Sequence, residues 1–496
     1  MERPTGAELR SLPKANQNSG MTNRHYRLSS SCKSQQLPFP AMKHSLLIIV
    51  AALIAALCQT QIEAADPAPW KIVSRENIAS VWSGNPVQFA FVQKEGYLFI
   101  GFYSGEDKSM VIGQKRLPDG AWKFKKLDTK IGWDSHNYIT IAFDRDNCLH
   151  VCGNMHCVPM IYYRSAKPLD IESLQPINRM TAAGTSKEEL VAAREHRVTY
   201  PMFMQSADGA LVFTYRDGAS GNGSQLWNVY DPDSKSWKRF LDVPMFDGLG
   251  LCNAYFKGPV KGPDGWYHIA WVWRDTPDCE TNHDLSYMRS RDLIHWETSQ
   301  GKPLTLPVTE QTGEVVAPLK NGEGLLNPLV QLGFDTQNRV VITYTRYDEN
   351  KNNQIMQARL EDGVWKYYQT TDWTHSWVFS GRGCIPGELS FSAVRSENGK
   401  LYQSWNRKYE KSGDFELDDE TFKPIGAAPP KSKIPAECYK VENTQENQGR
   451  KVATVTDASN PNRLYFFVWE TLPINRDRPH NVVPQPSQLR MFVLER

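Results

Sequence analysis

One short pattern recurs along most of the chain and limits its architecture more than any other feature: an apolar strand, a turn containing Asp, Asn or Gly, and a second apolar or aromatic strand. It runs over residues 89–102, 139–151, 203–215, 260–271, 332–344, 392–405 and 453–469. A hairpin of this kind buries only one face by itself, so repeated copies must stack on one another. Several copies are followed by a third strand and then by a fourth that carries a tryptophan, at Trp122, Trp237, Trp296 and Trp365. A repeat of roughly 50–70 residues suits a four-stranded blade with variable loops. The expected fold class is therefore all-β, a seven-bladed β-propeller, with most of the tryptophans packed between blades. The last strand, residues 489–494, is expected to pair with residues 70–73 and close the ring, which removes the exposed sheet edges. The best candidate for a helix is short, at residues 187–195.

Composition narrows the function class. With 40% hydrophobic and 11% aromatic residues in 496, the chain has ample material for a core, and its formal charge of +2 argues against nucleic acid or an anionic membrane as partner. An acidic partner would have to be met by a local cluster of cations. Residues 42–65 read as an export signal: Lys43 and His44 begin it, an apolar run from Leu46 to Leu57 forms its core, and Ala64 and Ala65 end it. The apolar run is too short for a membrane span. Residues 1–41 lack apolar periodicity and read as a non-native or disordered extension, which leaves residues 66–496 as a single exported propeller, secreted or periplasmic. That portion holds seven cysteines, an odd number with no CxxC pair; an exported chain has room for one or two disulfides, and the spacing does not say which cysteines pair.

Polar residues at hairpin ends carry the chemistry, because propeller loops surround a central channel. His136 and His156 flank the turn at residues 144–147, and Tyr200 and Arg216 flank the turn at residues 207–209. Positions about equidistant from a tight turn return to the same rim of the sheet, so two histidines, a phenol and a guanidinium are expected to converge. A lone histidine is more often a satisfied structural residue, but four such groups together suit β-elimination on a uronic acid. A guanidinium neutralises the carboxylate, a base removes the proton on the adjacent carbon, and an acid protonates the departing glycosidic oxygen. Arg216 is the expected neutraliser, His136 and Tyr200 the acid-base pair in either order, and His156 an aid to carboxylate binding.

The motifs WDSHN at 133–137, GNMH at 153–156, TYP at 199–201, YRDG at 215–218 and WRDTPDCETNHDLSYMRS at 273–290 resemble the BNR-repeat seven-bladed propellers. That group includes ulvan lyases and rhamnose-glucuronate lyases. The resemblance implies a polysaccharide lyase acting on an acidic, rhamnose- and glucuronate-containing polymer, with His136, His156, Tyr200 and Arg216 at the site and Arg274 as a further substrate-binding arginine. The same group contains an α-L-rhamnosidase that relies on a histidine in the first blade. Residues 66–135 contain no histidine, which favours the lyase.

Two further readings stand beside it. A non-catalytic carbohydrate-binding propeller would use the same cations and aromatics without breaking a bond. A sialidase would need an arginine triad with a Tyr/Glu pair, and no such motif set stands out, although residues 290–296 resemble a degenerate Asp-box, a structural turn. No organic cofactor is implied. Cys279 and His283, with His268 nearby, have ligand types suited to a structural zinc, set against the simpler reading of a reduced buried cysteine beside an ordinary histidine. Calcium held by channel carbonyls would leave no motif. Substrate choice is expected in variable loops, including Arg346 and residues 375–382.

Overall fold

Antiparallel hairpins dominate the computed structural model, which describes residues 68–429, 433–443 and 449–496. The extension at 1–41 and the export signal at 42–65 lie outside the described residues. Among the described residues no helix is long and apolar enough to cross a membrane. Chain segments from Asp66 to Arg496 cluster as one compact unit.

The strands assemble into seven antiparallel sheets, one for each expected repeat. In the first blade Ala90–Lys94 pairs with Tyr97–Tyr103, followed by Ser109–Arg116 and Lys123–Lys130. The second begins with Ile139–Phe143 on Leu149–Gly153, the third with Val198–Gln205 on Leu211–Ala219, and the fourth with Asn253–Lys261 on Tyr267–Arg274. Gln331–Phe334 and Val340–Tyr347 open the fifth, and Leu389–Phe391 and Lys400–Arg407 the sixth. Where sequence suggests a continuous strand near Ser392, the sixth blade breaks it, and a second piece at Arg395–Glu397 resumes the pairing.

Closure occurs as expected and extends further than residues 70–73. The strand Lys71–Val81 pairs with Ser487–Glu495 over its whole length, from Lys71 opposite Glu495 to Val81 opposite Ser487. The first strand thus completes a blade otherwise built from the end of the chain, Gly449–Asp457, Asn460–Thr471 and Ser487–Glu495. Aromatic side chains bind this last blade to the first: Phe89 stacks on Trp469 at 4.6 Å and Phe91 on Phe467 at 4.2 Å between ring centroids. Trp227, Trp271, Trp273 and Trp469 are fully buried, in line with the packing role expected of the tryptophans. The Asp-box is likewise structural: Asp292 Oδ1 accepts from the backbone N–H groups of Ile294 and His295, both at 2.8 Å, and Trp296 is buried beneath the turn.

The helix at Lys187–Ala192 falls within the expected segment and is held by a capping box between Ser186 and Glu189. The disulfides do not form. All seven described cysteines are free, five of them buried, and a core of this size holds without cross-links.

A fully buried ion pair lies inside the closing blade. Arg490 donates to Glu470, and also to the backbone oxygen of Lys440 at 2.9 Å. Removing one partner leaves the other as an uncompensated buried charge. Arg490→Met should therefore lower the unfolding free energy by about 3–5 kcal/mol, read from the denaturant midpoint. An unchanged midpoint would show that this pair does not support closure.

Candidate active site

Asp134, which sequence reasoning passed over, organises the site. Its two carboxylate oxygens each take one histidine: Oδ1 accepts from His136 Nδ1 at 2.7 Å and from the His136 backbone N–H at 2.9 Å, and Oδ2 pairs with His156 Nδ1. The two rings lie close together and tilted, 4.3 Å between centroids and 34° between planes. With both Nδ1 atoms engaged, each Nε2 is left for other partners. Burial disfavours charge on His136, but the hydrogen bond to Asp134 and the contact with the Cys384 thiol outweigh it, and its pKa is pushed up to about 10. His136 is therefore an imidazolium at neutral pH. The histidine pair holds the Asp134 carboxyl below the usual carboxylate range even though burial opposes this.

The two histidines arrive by different routes. His136 lies just ahead of the second blade's first strand, as expected. His156 does not complete that blade's hairpin. It crosses over in the short strand His156–Val158, which pairs with the third blade and sets His156 opposite Thr199. Thr199 in turn lies opposite Arg216. The register then shifts between Thr199 and Met202, and Tyr200 occupies this bulge with φ of +58°, a left-handed conformation uncommon for a bulky residue. A bulge re-aims a side chain that regular pleating would send elsewhere. Here it brings the Tyr200 ring within 5.7 Å of His136 and 4.9 Å of the Arg216 guanidinium.

Arg216 is 3% exposed and forms no ion pair among the described residues. It donates from Nη1 to the Tyr255 hydroxyl at 3.3 Å and from Nη2 to Cys157 Sγ at 3.7 Å, while its Nε has no partner. A buried guanidinium without a carboxylate can take one from a ligand bidentately. Tyr255, also missed from sequence, lies between two arginines, with Arg274 5.4 Å from its ring centroid and Ser220 Oγ 2.6 Å from its hydroxyl. Burial raises the phenol pKa, but Arg216, Arg274 and the Ser220 hydrogen bond more than compensate and bring it below the ordinary value. Tyr200 moves the opposite way, raised by burial and by proximity to Tyr255, against the pull of Arg216. Tyr255 has a faint sequence signal: it opens the fourth blade as Tyr200 opens the third. Arg274 is oriented by carbonyls of its own loop, donating from Nε to Thr276 O at 3.1 Å.

Loops from the far side of the ring complete the site. Asp477, beyond the last blade's second strand, accepts from Ser135 N at 3.1 Å, Ser135 Oγ at 2.6 Å and Cys384 N at 2.8 Å. The Cys384 thiol lies 3.7 Å from His136 Nε2. Residues 380–382, part of the segment in which substrate choice was expected, are tied here by Arg476, which donates to Ser380 O at 3.0 Å. Arg346 instead lines a separate surface groove with Asp348 and Gln369.

The expected metal pair is not assembled. Cys279 is buried, burial pushes its thiol up to about 11, and it joins no group of three metal-ligand side chains among the described residues. His283 pairs with carboxylates instead, Asp275 at 2.9 Å and Asp284 at 3.1 Å, with Glu310 completing a group of ligand type. His268 is used by Tyr287 at 2.7 Å and Asp264 at 3.1 Å. The ligand-type groups around His136 are accounted for by their own hydrogen bonds.

Residues 97–373, over half of the chain, match the BNR repeat-containing family. The chain belongs to this BNR repeat family. Its BNR repeats align with the short isoform of ulvan lyase from Alteromonas sp. (strain LOR) at 25% identity over 241 residues, 44% of each protein. The long isoform from the same strain aligns at 27% over 121 residues, 12% of its length. The BNR chain thus spans less than half of these curated relatives. Among solved structures, the polysaccharide lyase Uly1 superposes with a TM-score of 0.54 at 14% identity, covering 86% of this chain and 99% of that one. A PL25 ulvan lyase bound to -[GlcA(1-4)Rha3S]- gives 0.52, also at 14% identity, over 85% and 96%. These likenesses establish the propeller fold.

The Asp134 linkage gives a direct test. In the folded protein the His136 imidazole should titrate near 10 by NMR. Asp134→Asn removes the main favourable partner and should return it toward or below the ordinary histidine value of ~6.5. A His136 that titrates at the same pH in both proteins would contradict this electrostatic account.

Proposed function

We propose that the chain is a polysaccharide lyase that cleaves a uronic-acid-containing polymer by β-elimination, and that rhamnose-glucuronate polysaccharide is its substrate class. The observation that carries this reading is Arg216: buried, without a carboxylate of its own, and set between Tyr200 and Tyr255 at the rim that holds the imidazolium of His136. Likeness to ulvan lyases, one of them bound to a glucuronate-rhamnose sulfate unit, supports the same reading.

In this mechanism Arg216 takes the uronate carboxylate, and its charge, joined by the His136 imidazolium, lowers the pKa of the proton on the adjacent carbon. Tyr200 and Tyr255 lie edge to face, 6.1 Å between ring centroids, beside Arg216, so ionisation of one phenol holds the other protonated. The phenolate of that pair is the base. His136, already charged, is the acid that protonates the departing glycosidic oxygen, and Asp134 keeps it charged. His156, fixed by the same carboxylate, orients the substrate. Bond breaking leaves a 4,5-unsaturated uronate and needs neither water nor an organic cofactor. The enzyme acts as an exported protein.

Incubation with ulvan and with rhamnose-glucuronate-terminated arabinogalactan should produce near-ultraviolet absorbance from unsaturated uronate. Release of rhamnose without that absorbance would identify a hydrolase, and binding without either product a carbohydrate-binding propeller. Arg216→Ala should lower kcat/KM by ~10²–10³-fold, and His136→Ala or Tyr200→Phe should abolish turnover while leaving the thermal transition nearly in place. Full activity in all three would remove this site assignment.

The pH profile follows from the two shifts. Activity should rise as the tyrosine pair ionises and fall as His136 loses its proton near pH 10. Tyr255→Phe should move the acid limb to higher pH and leave the alkaline limb in place. A Tyr255→Phe profile identical to that of the parent would assign the base elsewhere.

A further inference from the structure

A second basic cavity backs onto the catalytic rim. It lies at the same end of the third blade, encloses about 230 Å³, and is lined by Arg194, His196, Arg197, Asp217, Gly218 and Gly223 among others. Arg216 and Asp217 are consecutive in one strand, so their side chains leave opposite faces of the sheet. Two glycines separate the spaces. A Cβ on Gly223 would come within 2.9 Å of Arg216 Cδ, and the Gly218 carbonyl accepts from the Cys157 thiol at 3.3 Å. The wall between cavity and catalytic arginine is therefore bare backbone.

The cavity carries uncompensated charge. Arg194 is neutralised by Asp217, Nε to Oδ2 at 2.8 Å. His196 and Arg197 have no ion-pair or hydrogen-bonded side-chain partner among the described residues, and Arg197 is exposed. A guanidinium and an imidazole left open together, with Arg197 opposite Gly218 two strand positions beyond Arg216, match an anionic polymer that continues past the reacting sugar.

We infer that this cavity is a subsite for the anionic substituent, a carboxylate or a sulfate ester, of a sugar neighbouring the one that reacts. The inference rests on the lyase reading and adds to it a preference for polymers with charge on successive units. Arg197 supplies the fixed charge and His196 a second donor. Since the groups are open to solvent, their contribution is salt-sensitive.

The test compares the full chain with a His196→Ala/Arg197→Ala double variant and with Arg197→Gln, which keeps length and removes charge. The substrates are size-matched uronate oligosaccharides whose neighbouring sugar is sulfated, carboxylated or neutral. For the charged oligosaccharides the double variant should raise KM about tenfold with kcat changed less than twofold, Arg197→Gln should give a smaller rise, and both effects should shrink at high salt. For the neutral one the three proteins should have the same KM. Loss confined to the sulfated or to the carboxylated compound identifies the group bound. Equal KM values on every charged compound, with unsaturated product still formed, would overturn the subsite and leave the lyase reading intact. Absence of unsaturated product from the parent chain would overturn the lyase reading. Calorimetric binding of the same oligosaccharides would then judge the subsite, tenfold weaker binding by the double variant supporting it and equal binding overturning it.

Discussion

The pairing of Lys71–Val81 with Ser487–Glu495 is the constraint on which the rest of the structure depends. An open stack of seven sheets would leave two long edges and no fixed channel. Joining the first strand to the last removes both edges at once and fixes the distance around the ring. The stacks of Phe89 on Trp469 and Phe91 on Phe467 then hold the junction from the side, where hydrogen bonds alone would let the blades slide. Closure also reaches the candidate site directly. Asp477 and Cys384, from the last two blades, meet Ser135 and His136 of the second, contacts that exist only because the ring is complete.

At the rim the governing fact is an imbalance of charge. Asp134 serves two histidines, with the Asp477 carboxylate 3.6 Å from His136, while Arg216 has no carboxylate partner among the described residues and Arg274 is held by carbonyls. Desolvation makes such an imbalance costly unless an anionic group corrects it. The same imbalance spreads the tyrosine pKa values apart, Tyr255 down and Tyr200 up, so neighbouring phenols of the same chemistry come to differ in role. A site built this way favours a negatively charged group before one arrives.

Much of this was legible in the chain. The hairpin repeats stand out because alternating apolar residues between turn residues are a local property, and His136, Tyr200 and Arg216 stand out because they lie at hairpin ends. Asp134 was hidden because aspartate is common in loops, and nothing local says that its two oxygens meet rings 2 and 22 residues away. Tyr255, Cys384 and Asp477 were hidden for a related reason: their partners are dozens to hundreds of residues distant. Cys279 and His283 show the converse. They are close in sequence and of ligand type, yet burial and nearby carboxylates claim them separately.

By itself, then, the sequence determined the all-β class, the number of blades, the closing strand and the chemical types gathered at the rim, since each follows from short-range periodicity and turn chemistry. Only the tertiary structure decided which strand receives His156, where the bulge aims Tyr200, which acid charges His136 and which arginine stays unpaired. Those outcomes depend on register between strands, on burial and on contacts across the channel. None of these is encoded within a single hairpin, because the free energy that selects them comes from the closed ring as a whole.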